Sequence, residues 1–303
     1  MNADKKIIIT HPDKVLFPEA GFTKQHLADY YEAVSGSLLP FLKNRPIMLH
    51  RFPQGIGHHG FYQKDIGNAF PDWISRVLVA REKQDPIEQA VINTKAALRF
   101  VINQNTVVLH PWLSTVKDLH KPDKIIFDLD PAEGGFKTAV KGALLLRGLL
   151  EKEYGLTCFV MTTGSSGLHV TIPIKPNHDF DAVRPFALMV AEQLSALHPA
   201  EFTTEQRIED RKGRLFVDYL RNSYAQTAVA PYAVRALPGA PVAAPLFWEE
   251  LADKNLKAQQ FNIVSMPERL KNGGNPWQDF RKNAISLTKA LAKQKSEMQQ
   301  KKA

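Results

Sequence analysis

The sequence predicts an α+β fold with a mixed or antiparallel sheet flanked by helices. Three observations carry that expectation. Strand-like and helical segments mix without strict strand–helix–strand alternation; two apolar runs, 156–162 and 168–174, are joined by a loop short enough for a hairpin; and helical stretches at 136–153 and 179–197 lie between strands. With 303 residues and 44% hydrophobic side chains, the chain can bury a core as one large domain or two small ones.

Each element follows from local pattern. Thr23 caps a helix running to about Leu39, in which Leu27, Tyr30, Tyr31, Val34 and Leu38 recur at helical spacing, and Pro40 disturbs its end. Pro46 to Phe52 is extended and leads into the loop Gln54 to Gly60. Further strands are expected at 75–80 and 105–110. An apolar strand begins at Lys124 and ends at Asp130. The helix from Phe136 stops at Gly155, and a last strand covers 214–220. From about Asp279 the chain reads as a terminal helix with a frayed basic tail, carrying Arg281, Lys282, Lys289, Lys293, Lys295, Lys301 and Lys302.

Composition narrows the function classes. Lys and Arg number 39 against 31 Asp and Glu, a formal charge of +8, which favours polyanionic partners. The single cysteine, Cys158, sits in an apolar run, so disulfides and cysteine-based zinc sites are excluded within one chain. The polar start has no signal-peptide core and no stretch reaches the length of a membrane span, so a cytosolic protein is expected.

The most informative motif is Lys124-Ile125-Ile126-Phe127-Asp128-Leu129-Asp130-Pro131. Alternate residues of a strand share a face, so Asp128 and Asp130 converge while Phe127 and Leu129 anchor the core. Hard oxygen ligands at a strand end suit Mg²⁺ or Mn²⁺ bound together with substrate phosphates. The plain alternative is a solvated strand end. Asp218 lies on an otherwise apolar strand and needs a partner: a metal shared with Asp128 and Asp130, or Arg211 or Arg221 nearby.

Thr163-Gly164-Ser165-Ser166-Gly167-Leu168-His169 sits between two strands as a candidate triphosphate loop, although such clusters also build ordinary turns. Phe61 and Tyr62 are adjacent on a strand, so one ring is expected in the core and the other in a cleft, free to stack on a base. His58 and His59 point apart and lack a third ligand at suitable spacing, so they are a loop feature. Arg211, Arg221 and Arg235 flank Asp218 and suit a triphosphate, or are surface charges.

Taken together, Phe127 to Pro131, Thr163 to His169, Val217-Asp218-Tyr219-Leu220-Arg221-Asn222 and Ala228-Val229-Ala230-Pro231-Tyr232-Ala233-Val234-Arg235 resemble, in order and spacing, the polymerase domain of bacterial DNA ligase D. That family is a branch of the archaeo-eukaryotic primase superfamily. The resemblance runs from Asp13-Lys14-Val15-Leu16-Phe17-Pro18 to Pro245 to Leu251, and more faintly to Pro276-Trp277.

The resemblance implies a primase-like catalytic domain over 1–275, with an N-terminal α/β module packed on it and a C-terminal helix and basic tail over 276–303. It implies a nucleotidyltransferase that adds nucleotides, with ribonucleotides preferred, to primer 3′ ends at gaps and breaks during non-homologous end joining. Two Mn²⁺ or Mg²⁺ ions would be held by Asp128, Asp130 and Asp218. Tyr62 or Phe61 would stack on the base. Arg51, His110, Thr163, Ser165, Ser166, Gly167, His169, Arg211, Arg221 and Arg235 would line the nucleotide site. Lys14 and Lys24 would grip the DNA 5′-phosphate as point charges.

The implied partners are gapped or broken DNA carrying a 5′-phosphate, nucleoside triphosphates, and as candidates Ku and a separate DNA ligase, in a bacterial cytoplasm near the nucleoid. Two departures stand out: Ser166 replaces a lysine of many relatives, and Tyr224-Ala225 replaces an Arg-Gly pair. No ligase or phosphoesterase module is present in this sequence, and the Met1 start favours a stand-alone polymerase over a fragment.

Two rivals remain. A haloacid-dehalogenase-type phosphatase would use Asp128 as nucleophile, but Ala132 stands where Thr or Val is expected, the motif lies mid-chain, and no convincing later Lys and acidic pair follows. A non-enzymatic end-binding module would leave three aspartates facing phosphates without metals, which is electrostatically unfavourable.

Overall fold

The computed structural model describes residues 6–81, 84–131 and 135–300. The chain divides into two compact units. The first takes the chain up to Lys117 with Thr227–Ala244 and Gln259–Asn275; the second takes Asp118–Gln226, Pro245–Ala258 and the chain from Pro276 on. Ala132, Lys301 and Lys302 lie outside the described residues.

The first unit contains strands β1 (Val15–Phe17), β2 (Phe22–Thr23), β3 (Pro46–Arg51), β4 (Phe61–Gln63), β5 (Arg76–Arg81), β6 (Gln84–Val91), β7 (Thr106–Pro111) and β8 (Ser114–Thr115). Strand β3 is the hub: β7 pairs along one edge, while β6 and β4 share the other. β6 has no counterpart in the sequence expectation, because Gln84-Asp85-Pro86 opens it with polar side chains and a proline.

The helix Lys24–Leu42 begins at Thr23 through a reciprocal cap, in which Thr23 Oγ1 accepts from the His26 amide and His26 Nδ1 accepts from the Thr23 amide. It runs three residues past Leu39, straight through Pro40. The missing proline N–H falls in the last turn, and the Lys43 amide still donates to the Leu39 carbonyl.

Tyr30 and Tyr31, read from the sequence as members of the apolar stripe, also make polar contacts. The Tyr30 hydroxyl donates to the Tyr232 carbonyl, and the Tyr31 hydroxyl donates to Val107 and accepts from the Val234 amide. With the Ala230 amide on the Leu109 carbonyl, these bonds bind the segment ending at Arg235 to β7.

The second unit contains β9 (Asp118–Pro122), β10 (Lys124–Asp130), β11 (Phe159–Thr162), β12 (Leu168–Pro173), β13 (Phe202–Thr203), β14 (Leu215–Asp218) and β15 (Pro245–Leu246). Its six-stranded sheet has the order β13-β14-β10-β12-β11-β15, antiparallel throughout except for the parallel β13–β14 pair. β11 and β12 form the expected hairpin. β11 starts three residues later than its apolar run because the Cys158 carbonyl is taken by the Trp248 indole instead of a ladder partner.

Helices Phe136–Tyr154 and Phe180–Leu197 pack on this sheet. The first starts and stops where expected, with Gly155 in the left-handed conformation as its C-cap. Its Gly142 lies so close to Phe202 and Leu129 that an added Cβ would meet them at 2.9 and 3.5 Å. Leu129 is fully buried, so the helix covers the face opposite Asp128 and Asp130.

β14 stops at Asp218, two residues short of the expected end. Continued pairing would set Leu220 against Ile126; instead the chain turns and the buried Asn222 carboxamide takes the place of a peptide group. Asn222 Oδ1 accepts from the Ile126 amide at 2.8 Å and Nδ2 donates to the Ile126 and Tyr219 carbonyls, each at 2.8 Å. An Asn222→Ala substitution strands both Ile126 groups in the interior at about 1–3 kcal/mol each. Chemical denaturation is expected to show a loss of that order; a change under about 0.5 kcal/mol, the range of ordinary surface substitutions, would contradict the lock.

Candidate functional site

The central strand register gathers the carboxylates. Asp128 on β10 is the cross-strand partner of Asp218 on β14 and of His169 on β12, so the three side chains form a row on one face. Asp130, two residues on, shares that face and lies opposite Phe216. Asp128 and Asp218 keep 14% and 18% of their side-chain surface, while Asp130 is exposed. Burial raises the Asp218 pKa and the Asp128 charge adds to it, outweighing the Leu220 amide bond and the Arg221 and His169 charges that lower it.

Each carboxylate is held by a neighbour. His169 Nε2 stands 3.5 Å from Asp128 Oδ1, and Arg221 Nε stands 3.7 Å from Asp128 Oδ2 and 4.0 Å from Asp218 Oδ2. Asp218 Oδ1 accepts from the Leu220 amide at 2.6 Å. The Ser166 hydroxyl donates to Asp130. Among the described residues no group of three or more His, Cys, Asp or Glu side chains is placed to hold a metal ion. The donor chemistry nevertheless fits a hard divalent cation: two carboxylates face one another in a row, a third shares their side, and burial, with the Asp128 charge beside it, disfavours a lone charge on Asp218 that a cation would offset.

The loop between β11 and β12 is built around Thr163. Its hydroxyl accepts from the Ser165 and Gly167 amides and reaches the Gly167 carbonyl. These two N–H groups therefore turn inward, not toward an anion as the sequence suggested, because the Thr163 side chain competes for them. The Ser165 hydroxyl lies 3.2 Å from that of Ser166, which extends the chain to Asp130. Gly167 is required by close approach: a Cβ would lie 2.1 Å from the Leu129 carbonyl oxygen.

Arg211 stacks over Phe216 at 4.5 Å, on the face of the aspartates, while its Nε and Nη2 donate to the Glu205 and Gln206 carbonyls. Tyr224 stacks on His120 at 4.6 Å and 12°. Ala225 holds a φ of +61°, in the left-handed region that favours glycine.

In the first unit, Phe61 and Tyr62 are both exposed, at 45% and 58%. The expectation that one ring enters the core fails because β4 is a three-residue edge strand with one neighbour, β3. Tyr62 stacks on His50 with centroids 4.0 Å apart and meets His110 edge-on at 6.2 Å. Arg51, paired with Phe61, points to the other face, where it donates to Gln104 and Gln63 and lies 5.3 Å over the Phe61 ring. The structure thus brings Tyr62 and His110 together and leaves Arg51 apart from them.

Arg235 belongs to the same unit and its charge, after burial, lowers the His50 pKa. Lys24 is buried and donates to the Thr10 carbonyl at 2.8 Å; burial and the Lys14 charge lower its pKa. Sequence reasoning missed His50 and the anchoring role of Asn222. The available signals were the alternation of His50 with Met48 beside an aromatic pair, and an amide-bearing residue just after Asp218.

Residues 23–277 match the LigD primase-polymerase domain family. Among curated relatives, the multifunctional non-homologous end joining protein LigD of Pseudomonas aeruginosa is 33% identical over 94% of this chain and 34% of its own length. The bifunctional LigD of Bacillus subtilis is 32% identical over 92% of this chain and 44% of its own length. This chain therefore spans between a third and a half of these relatives. A solved structure, the polymerase domain from Mycobacterium tuberculosis ligase D in complex with DNA, superposes with a TM-score of 0.86 at 28% identity, covering 93% of this chain and all of that one. The chain belongs to the LigD primase-polymerase domain family, a family of nucleotidyltransferases.

Proposed function

We propose that this chain is a metal-dependent polymerase that adds nucleotides, ribonucleotides by preference, to primer 3′ ends at gaps and breaks in DNA during non-homologous end joining. The single observation that carries the reading is the row of Asp218, Asp128 and His169 across three adjacent strands, with Asp130 beside it. The DNA-bound M. tuberculosis domain and the end-joining names of the relatives support it. Ku at the break and a separate ligase at the nick are the partners this role calls for, within the cytoplasm around the nucleoid. Among the described residues no helix is long and apolar enough to cross a membrane.

Asp128, Asp130 and Asp218 would hold two Mn²⁺ or Mg²⁺ ions, which when bound neutralise triphosphate charge and acidify the primer 3′-hydroxyl. The protein's own groups position and balance charge. Arg221, now shared between Asp128 and Asp218, would swing to triphosphate oxygens, and Arg211 and Arg235 would add positive charge. Thr163, Ser165, Ser166 and Gly167 shape the loop beside Asp130; Tyr62 offers its open ring to the base, next to His110. Lys24, with Lys14 beside it, would regain a favourable environment against a DNA 5′-phosphate. An aspartyl phosphatase is disfavoured, because residues 23–277 match the LigD primase-polymerase family and the fold superposes on a DNA-bound polymerase domain.

Asp128→Ala and Asp130→Ala should each abolish Mn²⁺-dependent extension of a primer on a gapped duplex while circular dichroism stays unchanged; substantial extension by either variant refutes the assignment. Lys14→Ala and Lys24→Ala should weaken binding to gapped DNA bearing a 5′-phosphate and leave the unphosphorylated gap alone, as read by fluorescence anisotropy. Equal losses on the two substrates would remove that role.

Asp218 gives a pH prediction. With its folded pKa raised above the unfolded value, the folded chain binds the extra proton between the two, so stability falls as pH rises through the folded pKa. In chelator at pH 7, Asp218→Asn should therefore melt higher than wild type, with the gap closing below about pH 4, near the unfolded carboxylate value. A variant that melts lower at pH 7 would show that no such strain exists.

A further inference from the structure

We propose that His50 is a positioning residue that holds the Tyr62 ring flat as a platform for the nucleobase of the incoming nucleotide. The inference rests on the base-stacking role proposed for Tyr62. An exposed tyrosine on a three-residue edge strand has no enclosing core to select its rotamer, so its orientation depends on the neighbours it touches.

Those neighbours form a graded stack. Phe52 is buried, with its amide donating to the Asn105 carbonyl. The His50 ring lies 4.4 Å from Phe52 at 48°, and Tyr62 lies 4.0 Å from His50 at 23°. The last ring carries the open face. His50 and Tyr62 are cross-strand partners, which fixes the spacing of the two rings through backbone pairing. Gly60 brings the incoming chain against the base of the stack: a Cβ there would lie 2.5 Å from the Phe52 ring. His110 meets Tyr62 edge-on and limits its sideways movement.

The chemistry of the middle ring matters. A planar imidazole gives a full face to Tyr62, and half-burial with the Arg235 charge lowers its pKa, which favours the neutral form. Removing it leaves Tyr62 to be ordered at the moment a nucleotide binds, at the expense of affinity.

The test is steady-state extension on a gapped duplex together with binding of a fluorescent nucleoside triphosphate. His50→Ala is expected to raise KM and Kd for the nucleotide about 3–10-fold, the range that ordering one side chain on binding implies, with kcat at saturation unchanged. His50→Phe should restore both to within about twofold, while His50→Gln, with similar bulk but no ring, should behave like alanine. Inhibition by inorganic tripolyphosphate, which has no base, should be the same in all. Uniform loss of nucleotide and tripolyphosphate binding, or a glutamine variant that matches wild type, overturns the inference. Tyr62→Ala separates the two levels: if it leaves KM unchanged, the base-stacking reading itself fails; if it raises KM while His50→Ala does not, only the positioning role is lost.

Discussion

The structure turns on one placement: Asp128 stands between Asp218 and His169 on three neighbouring antiparallel strands. Two carboxylates facing across a strand pair destabilise a sheet; burial raises the Asp218 pKa, and the facing Asp128 charge adds to it. Arg221 offsets part of this from 3.7 and 4.0 Å, as a single guanidinium shared by two acids. The cation site we propose rests on this stored like charge near solvent, and the rest of the second unit holds the carboxylates in place.

That arrangement is backbone work more than side-chain work. The opposite face of β10 is anchored by Ile125, Phe127 and Leu129, each fully buried, so the strand cannot slip by one residue without driving its aspartates into the core. Asn222 then ends β14 at the residue where the ladder must stop, and the turn it stabilises presents Arg221 to both acids. On the other edge Gly167 allows the hairpin loop to pass against Leu129, which brings Ser166 to Asp130. The Ser166 hydroxyl donates to Asp130, so the hairpin loop itself satisfies one oxygen of that carboxylate.

Much of this was legible in the sequence because it rests on local periodicity. The Asp-x-Asp strand end, the hairpin at 156–174, the helix cap at Thr23 and the stop at Gly155 are short-range signals, and each appears in place within a few residues. What escaped was long-range or context-dependent. β6 is polar at its start and gains its identity only by pairing with β3 and β5. Asn222 acts on a strand 96 residues away. Phe61 and Tyr62 were divided between core and cleft by alternation alone, but alternation presumes two covered faces, which a short edge strand lacks. The same rule, applied to His50 and Arg51, would have shown that only His50 shares a face with Tyr62.

The central claim is that three aspartates distant in sequence act as one cation site. Calorimetric titration of Mn²⁺ into this 303-residue chain, wild type beside Asp218→Asn, tests it without any turnover. The account predicts saturable binding to wild type that the single distant substitution weakens at least tenfold. Mn²⁺ binding of equal affinity and stoichiometry in both proteins would contradict it.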